Sequence, residues 1–208
     1  GLLRYAGDYE ESQGCSPRFR RFMDDLSACL VERHGLQRGH AVEIGCGKGE
    51  FLETFCRRSG GTGLGIDPAF QPGRTDELGG RLEFVAGHLE QHAGRLAEAD
   101  VLFCRHTLEH VPEVGAFLHS VRAAVDESRE PLLVFEVPDT RRILEQAAFW
   151  DVYYEHCSYF TEGSLARLFS ASGFDVVDLY RVYDDQYLVI EARPGAGAVP
   201  LLEGVEPT

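Results

Sequence analysis

Three clusters of residues carry the side chains best suited to chemistry. The first is His40-Ala41-Val42-Glu43-Ile44-Gly45-Cys46-Gly47-Lys48-Gly49-Glu50-Phe51-Leu52. Ala41, Val42 and Ile44 suit a strand covered on both faces. Gly45, Gly47 and Gly49 let the backbone turn sharply and approach a ligand without a Cβ in the way. A helix starting at Gly49 or Glu50 would aim its first N–H groups over that turn. The spacing is G-x-G-x-G, not the G-x-G-x-x-G that cradles a dinucleotide pyrophosphate. A carboxylate at Glu43 would repel phosphate and suit an ammonium, so the ligand reads as a nucleoside with an amino-acid tail. Asp67, at the end of apolar Leu64-Gly65-Ile66, lies about 20 residues beyond the glycines, where an acidic side chain grips a ribose diol.

The second cluster is Arg105-His106-Thr107-Leu108-Glu109-His110-Val111-Pro112. Its H-x-x-E-H pattern matches an inverted zincin motif. That motif needs a continuous helix presenting both histidines on one face. Here it follows a buried strand directly and Pro112 arrives at once, so no metal is expected. The third cluster is Tyr153-Tyr154-Glu155-His156-Cys157-Ser158-Tyr159-Phe160. A histidine removes a proton near neutral pH, a glutamate can orient it, and a tyrosine can donate to a developing oxyanion.

The intervening sequence supplies the frame. Phe22, Met23, Leu26, Leu30 and Val31 recur at helical spacing, with Gly35 as the cap. Strands are predicted at 41–44, 64–66, 82–87, 100–104 and 131–138, with helices near 49–59 and 117–125. Thr161 caps a helix that runs to about Ser172. Segments 173–180 and 186–192 form a closing antiparallel pair. Strand–helix alternation at this spacing predicts right-handed βαβ units and a doubly wound, mostly parallel sheet. We divide the chain into N-terminal lid and packing helices (1–35), a core (36–193) with an aromatic insertion at 139–160, and a flexible Gly/Pro-rich tail (194–208). In the N-terminal part, Tyr5 and Tyr9 either line an acceptor site or cover the edge of the core.

The 208 residues suffice for one α/β domain with a sizeable core. A formal net charge of −14 with no Lys/Arg-rich run argues against nucleic acid as a substrate. No apolar stretch approaches a membrane span, and no secretory signal is apparent. The six cysteines lack a C-x-x-C pair, so a reducing cytoplasm is the expected location. The first residue is glycine, as in a processed chain or one domain of a longer one.

The strand-turn segment, with its E-x-G-x-G-x-G pattern, resembles the first motif of the class I methyltransferases. The resemblance implies a Rossmann-like, seven-stranded sheet with an antiparallel last strand. It also implies S-adenosylmethionine as cofactor, with S-adenosylhomocysteine as product. Glu43, Gly45, Gly47, Gly49, Asp67 and the adjoining Pro68 would hold that cofactor. His88 and Leu89, after the third strand, would flank the adenine, although a solvent-facing His88 fits the sequence equally well. Methyltransferases of this class often carry an H-x-L-E-H segment at the end of strand four. By that likeness Arg105 borders the cofactor, His106 stands near the methyl group, and His110 supports structure.

A narrower resemblance rests on Phe135-Glu136-Val137-Pro138 and on the block from Tyr153 to Phe160. Both are similar to the sugar C-methyltransferases of deoxysugar biosynthesis, which carry F-E-V-P and then Y-H-E-H-x-S-Y-F. Those enzymes methylate C3 of nucleotide-linked 4-keto-6-deoxyhexoses through an enolate. The likeness makes His156 the base, Tyr153 and Glu155 positioning groups that steady the enolate, and Tyr154 a substrate contact. Tyr154 stands where the family has histidine, so hydrogen bonding to the sugar must differ. The family also usually carries a cysteine-rich zinc domain and a further domain, and this sequence shows neither. The alternatives are an O- or N-methyltransferase of another small natural product, with His156 or His106 as base, and a cofactor-binding module without turnover.

Overall fold

The computed structural model describes residues 16–71, 73 and 78–198. Tyr5 and Tyr9 lie outside the described residues. The chain divides into two compact units, one ending at His92 and the other starting at Ala93, so residues 36–193 fall in both.

In the first unit, helix α1 (Pro17–His34) begins where Ser16 caps the N–H of Phe19 and Pro17 presets the first turn. It ends at Gly35, whose left-handed backbone returns an N–H to Val31. Phe19, Met23, Leu26, Leu30 and Val31 are its buried stripe, and it packs on α2 (Glu50–Ser59). Strands β1 (His40–Ile44), β2 (Thr62–Ile66) and β3 (Leu82–Val85) are mutually parallel neighbours, with β2 in the middle. A short helix α3 (Leu89–His92) closes the unit.

The second unit is built on β4 (Val101–Arg105) and β5 (Leu132–Pro138), parallel and almost wholly buried. Helices α4 (Val114–Ala124), α5 (Thr140–Gln146) and α6 (Glu162–Ala171) follow in turn. Thr161 and Ser164 form a reciprocal capping box at the start of α6. Strands β6 (Phe174–Val182) and β7 (Tyr187–Pro194) pair antiparallel, and β7 is also antiparallel to β5. Within the first unit the strands run β3-β2-β1, and within the second β4-β5-β7-β6. The expected mostly parallel sheet with an antiparallel last strand is what the chain forms.

The expected flexible tail differs in its first residues. Pro194 belongs to β7, and Gly197 and Ala198 both donate backbone N–H groups to the Asp175 carboxylate at 2.8 and 2.6 Å. Ser170 Oγ donates to the Gly197 carbonyl, and Val176 donates to that of Ala198 at 2.8 Å. A Gly-rich composition signals flexibility only when nothing satisfies the backbone, and here Asp175 does. Residues 199–208 lie outside the described set.

Candidate active site

In the first unit the glycine turn is assembled almost entirely by backbone. Gly45 and Cys46 donate to the Ile66 carbonyl at 2.8 and 3.3 Å, and Gly49 donates to Cys46 at 2.7 Å. Asp67 ties the turn together. Its carboxylate accepts from the Gly47 N–H at 2.8 Å and from Ala69 at 2.7 Å. Its backbone pairs with Val85 and Gly87 at the end of β3. Gly49 has φ +80° and forms the N-terminal cap of α2. A Cβ there would lie 2.3 Å from the ring of Phe84, which is itself stacked on Phe70. Only glycine meets both demands.

Glu43 is buried at the end of β1. Burial first, then the negative charges of Glu43 and Asp67, drive the neighbouring Cys46 thiol far above its ordinary range, and burial pushes Cys56 up to about 12. Both thiols are inert at neutral pH. Pro68 and His88 are exposed. The backbone N–H of His88 donates to the Gln91 side chain at 2.9 Å, whereas Leu89 is buried in the core.

In the second unit, chemistry gathers where β4 and β5 end. Glu136 is 0% exposed, in a strand otherwise made of apolar residues and a terminal proline. Arg105 Nε lies 2.9 Å from Glu136 Oε2 and His106 Nε2 lies 2.9 Å from Oε1. Burial opposes ionisation of Glu136 and is the largest single influence on it. The charges and hydrogen bonds of Arg105 and His106 together outweigh that influence, and the carboxyl is lowered to about 2. His106 adopts φ +50°, a costly conformation for a residue with a Cβ. It is held there by its N–H to the Glu136 carbonyl at 2.9 Å and by its ring packing edge-on against Tyr187. Arg105 and His106, expected at the cofactor and the methyl group, are therefore anchored on Glu136. The sequence assigns no role to Glu136. The detectable signal was one carboxylate amid Leu132, Leu133, Val134, Phe135 and Val137.

The aromatic insertion is pinned at both ends. Asp139 caps α5 and pairs with Arg181 at 2.7 Å, while Arg142 holds Asp151 at 2.6 Å. Asp139 and Phe160 form a parallel bridge. Between these points Cys157 and Ser158 donate N–H groups to the Glu109 carbonyl at 2.7 and 3.1 Å. The block carrying His156 is thus attached to the short 3₁₀ turn Leu108–His110.

His156 lies among rings. Its centroid is 4.8 Å from that of His110, edge-on, 5.1 Å from Tyr153 and 5.8 Å from Tyr159. Its Nδ1 is buried and makes no hydrogen bond among the described residues. Burial chiefly, and then the charge of His110, lower its pKa to about 4 against the opposing pull of Glu155, so the imidazole is neutral at pH 7. His110, assigned a structural part from sequence, stands beside His156, with its Nδ1 3.2 Å from the Glu155 carbonyl. Tyr154 is 89% exposed and Glu155 is exposed as well. The structure therefore gathers Tyr153, His156, Tyr159 and His110, and leaves Tyr154 and the Glu155 carboxylate facing solvent.

A family model described as a methyltransferase domain matches residues 16–179. The sequence is 34% identical over 180 residues to the C-methyltransferase NovU of Streptomyces niveus, covering 84% of this chain and 42% of that protein. It is 33% identical over 108 residues to a ubiquinone biosynthesis O-methyltransferase of Salmonella newport, covering 49% of this chain and 44% of that one. The chain thus spans less than half the length of these curated relatives. A solved structure with a similar fold is the 1,6-didemethyltoxoflavin-N1-methyltransferase of Burkholderia thailandensis, bound to 1,6-didemethyltoxoflavin and S-adenosylhomocysteine. Its TM-score is 0.63 at 20% identity, over 88% of this chain and 82% of that one.

Proposed function

The chain belongs to the methyltransferase-domain family, and from that premise we propose an S-adenosylmethionine-dependent methyltransferase that methylates a small keto compound on carbon, with His156 as the base. The observation that carries the reading is His156 itself. It is a neutral imidazole with a buried, unbonded Nδ1 among two tyrosines and a second histidine.

The residues of the first unit fit the cofactor. Each Asp67 oxygen accepts one backbone N–H, and a carboxylate offers about four acceptor sites, which leaves capacity for a ribose diol. The glycine turn presents no Cβ to a close ligand, and buried Glu43 favours an ammonium over a phosphate. When bound, S-adenosylmethionine supplies an electrophilic methyl group from its sulfonium.

In the second unit, His156 takes the proton from the carbon beside the ketone, and the C–H electron pair becomes the enolate. Tyr153 donates to the enolate oxygen. The enolate carbon is the nucleophile, and its electron pair would form the new C–C bond as the methyl–sulfur bond breaks, with S-adenosylhomocysteine as the leaving group. An imidazole whose pKa is lowered to about 4 remains unprotonated throughout the neutral range and is available as acceptor. The acceptor class we favour is a nucleotide-linked keto-deoxysugar. This choice rests on the F-E-V-P and Tyr153–Phe160 motifs and on the identity to the C-methyltransferase NovU.

The test is proton exchange. The protein is incubated with S-adenosylhomocysteine and nucleotide-linked 4-keto-6-deoxyhexoses in heavy water, and deuterium uptake is followed by mass spectrometry. Uptake at the carbon beside the ketone, lost in His156→Ala, is the expected result. No uptake from protein that binds S-adenosylhomocysteine would overturn carbon methylation in favour of an oxygen or nitrogen acceptor.

A further inference from the structure

We propose that Glu109, His110 and His156 form a binding site for a divalent transition metal, with zinc the best match. One ligand-capable atom from each residue lies within 4.8 Å of the other two. Two imidazoles and a carboxylate form the donor set that holds zinc with one position open. Two nitrogen donors favour zinc, cobalt or nickel over magnesium and calcium.

The scaffold is built before any ion arrives. Glu109 is 1% exposed, so its carboxylate is fixed within the protein. The Glu109 carbonyl accepts from both Cys157 and Ser158, which ties the residues flanking His156 to the turn that carries the other two donors. The ring of His110 is oriented by a backbone carbonyl, that of Glu155 at 3.2 Å. A carbonyl only accepts, so Nδ1 carries the proton and Nε2 is the unprotonated nitrogen. Such a partner on the far nitrogen is the usual means of orienting a metal-bound histidine. His156 supplies an independent sign of a ligand: its buried Nδ1 has no hydrogen-bond partner among the described residues. An unsatisfied buried polar atom is costly unless something binds it.

This site departs from the metal-free expectation read from H-x-x-E-H. The helical presentation which that motif requires is absent: Leu108–His110 is a 3₁₀ turn and His106 faces Glu136 at 2.9 Å. The missing donor comes instead from His156, 50 positions away from His106 in the sequence. A metal here has one consequence that rests on His156 being the base. An imidazole cannot both coordinate an ion and accept a proton, so metal and proton removal exclude one another.

Binding can be read without cofactor, acceptor or turnover. Untagged, chelator-stripped protein is titrated with Co²⁺ alone and followed in the visible spectrum, then challenged with Zn²⁺. The expected result is one equivalent with tetrahedral d–d bands and no thiolate charge-transfer band, displaced by zinc. Glu109→Gln and His156→Gln should each weaken binding by about 100-fold or more, since even outer partners of a metal site are worth about 10–100-fold. Cobalt affinity retained in His156→Gln overturns the proposal whatever Glu109→Gln does, because His156 is half-buried and its replacement spares the core. Absence of uptake overturns it as well, and so does a charge-transfer band that disappears in Cys157→Ser.

Discussion

The glycine turn after β1 and the ring cluster around His156 solve two different problems with different materials. The turn is made of backbone: N–H groups of Gly45, Cys46, Gly47 and Gly49 are all hydrogen-bonded to atoms within about 20 residues. The ring cluster is made of side chains, drawn from the turn after β4 and from the insertion after β5, and joined through the carbonyls of Glu109 and Glu155. A backbone site tolerates changes in side chains that are not glycine or Asp67. A side-chain site changes its chemistry with each substitution. Under the proposed function, that difference suits a cofactor shared by many enzymes on one hand and a variable acceptor on the other.

Substitutions can separate the two regions. His156→Ala should lower deuterium exchange by about 10²–10⁴-fold, the usual contribution of a general base. The affinity for S-adenosylhomocysteine, measured by calorimetry, should stay unchanged; a parallel loss of affinity would break the division of labour. Glu136→Leu removes the partner of a buried guanidinium and should cost about 3–5 kcal/mol in urea unfolding. If instead stability is retained, Arg105 has another means of neutralisation and the β4–β5 network is less decisive than its geometry implies. Asp67→Asn should weaken S-adenosylhomocysteine binding about 10–100-fold, as expected for loss of charge-assisted bonds of about 1.5–3 kcal/mol, with exchange at saturating ligand little altered.

The smallest effect concerns pH. The acid limb of exchange should fall near pH 4, not near the ordinary histidine value of 6.5. The sign for stability follows from the same shift. The unfolded chain takes up a proton at His156 before the folded chain does, so stability is complete above about pH 6.5. It declines as pH drops toward 4, and His156→Gln should flatten that part of the profile.

How much of this was legible in the sequence depends on how far apart the partners lie. The glycine turn and the Gly35 and Thr161 caps are local signals, and each appears where spacing places it; the apolar stripe of α1 does so too, except that Phe19 is buried where Phe22 was expected. The position of Asp67 just after β2, beside the glycine turn, was legible because the length of a β-α-β unit is nearly constant. The ring cluster and the Glu136 network were not readable in the same way. His106 and Glu136 are 30 positions apart and meet through strand register. His110 reaches His156 across the whole of α4, β5 and α5. Adjacency in sequence also misled: Tyr153, Tyr154, Glu155 and His156 are consecutive, but an irregular segment sends neighbours in different directions, and Tyr154 ends in solvent. Gly197 and Ala198 were read as loose from composition, because the carboxylate that fixes them, Asp175, lies more than twenty residues earlier.

The bond from the Gly47 N–H to Asp67 has a thermodynamic consequence. A loop closed onto its own acidic anchor incurs the entropy of ordering when the protein folds, not when the nucleoside arrives. Calorimetric binding should therefore show the heat-capacity change of a preformed pocket, without the additional contribution of a segment that folds around its ligand. Cutting that one anchor would transfer the ordering cost from folding to recognition, and the binding isotherm would register it as entropy.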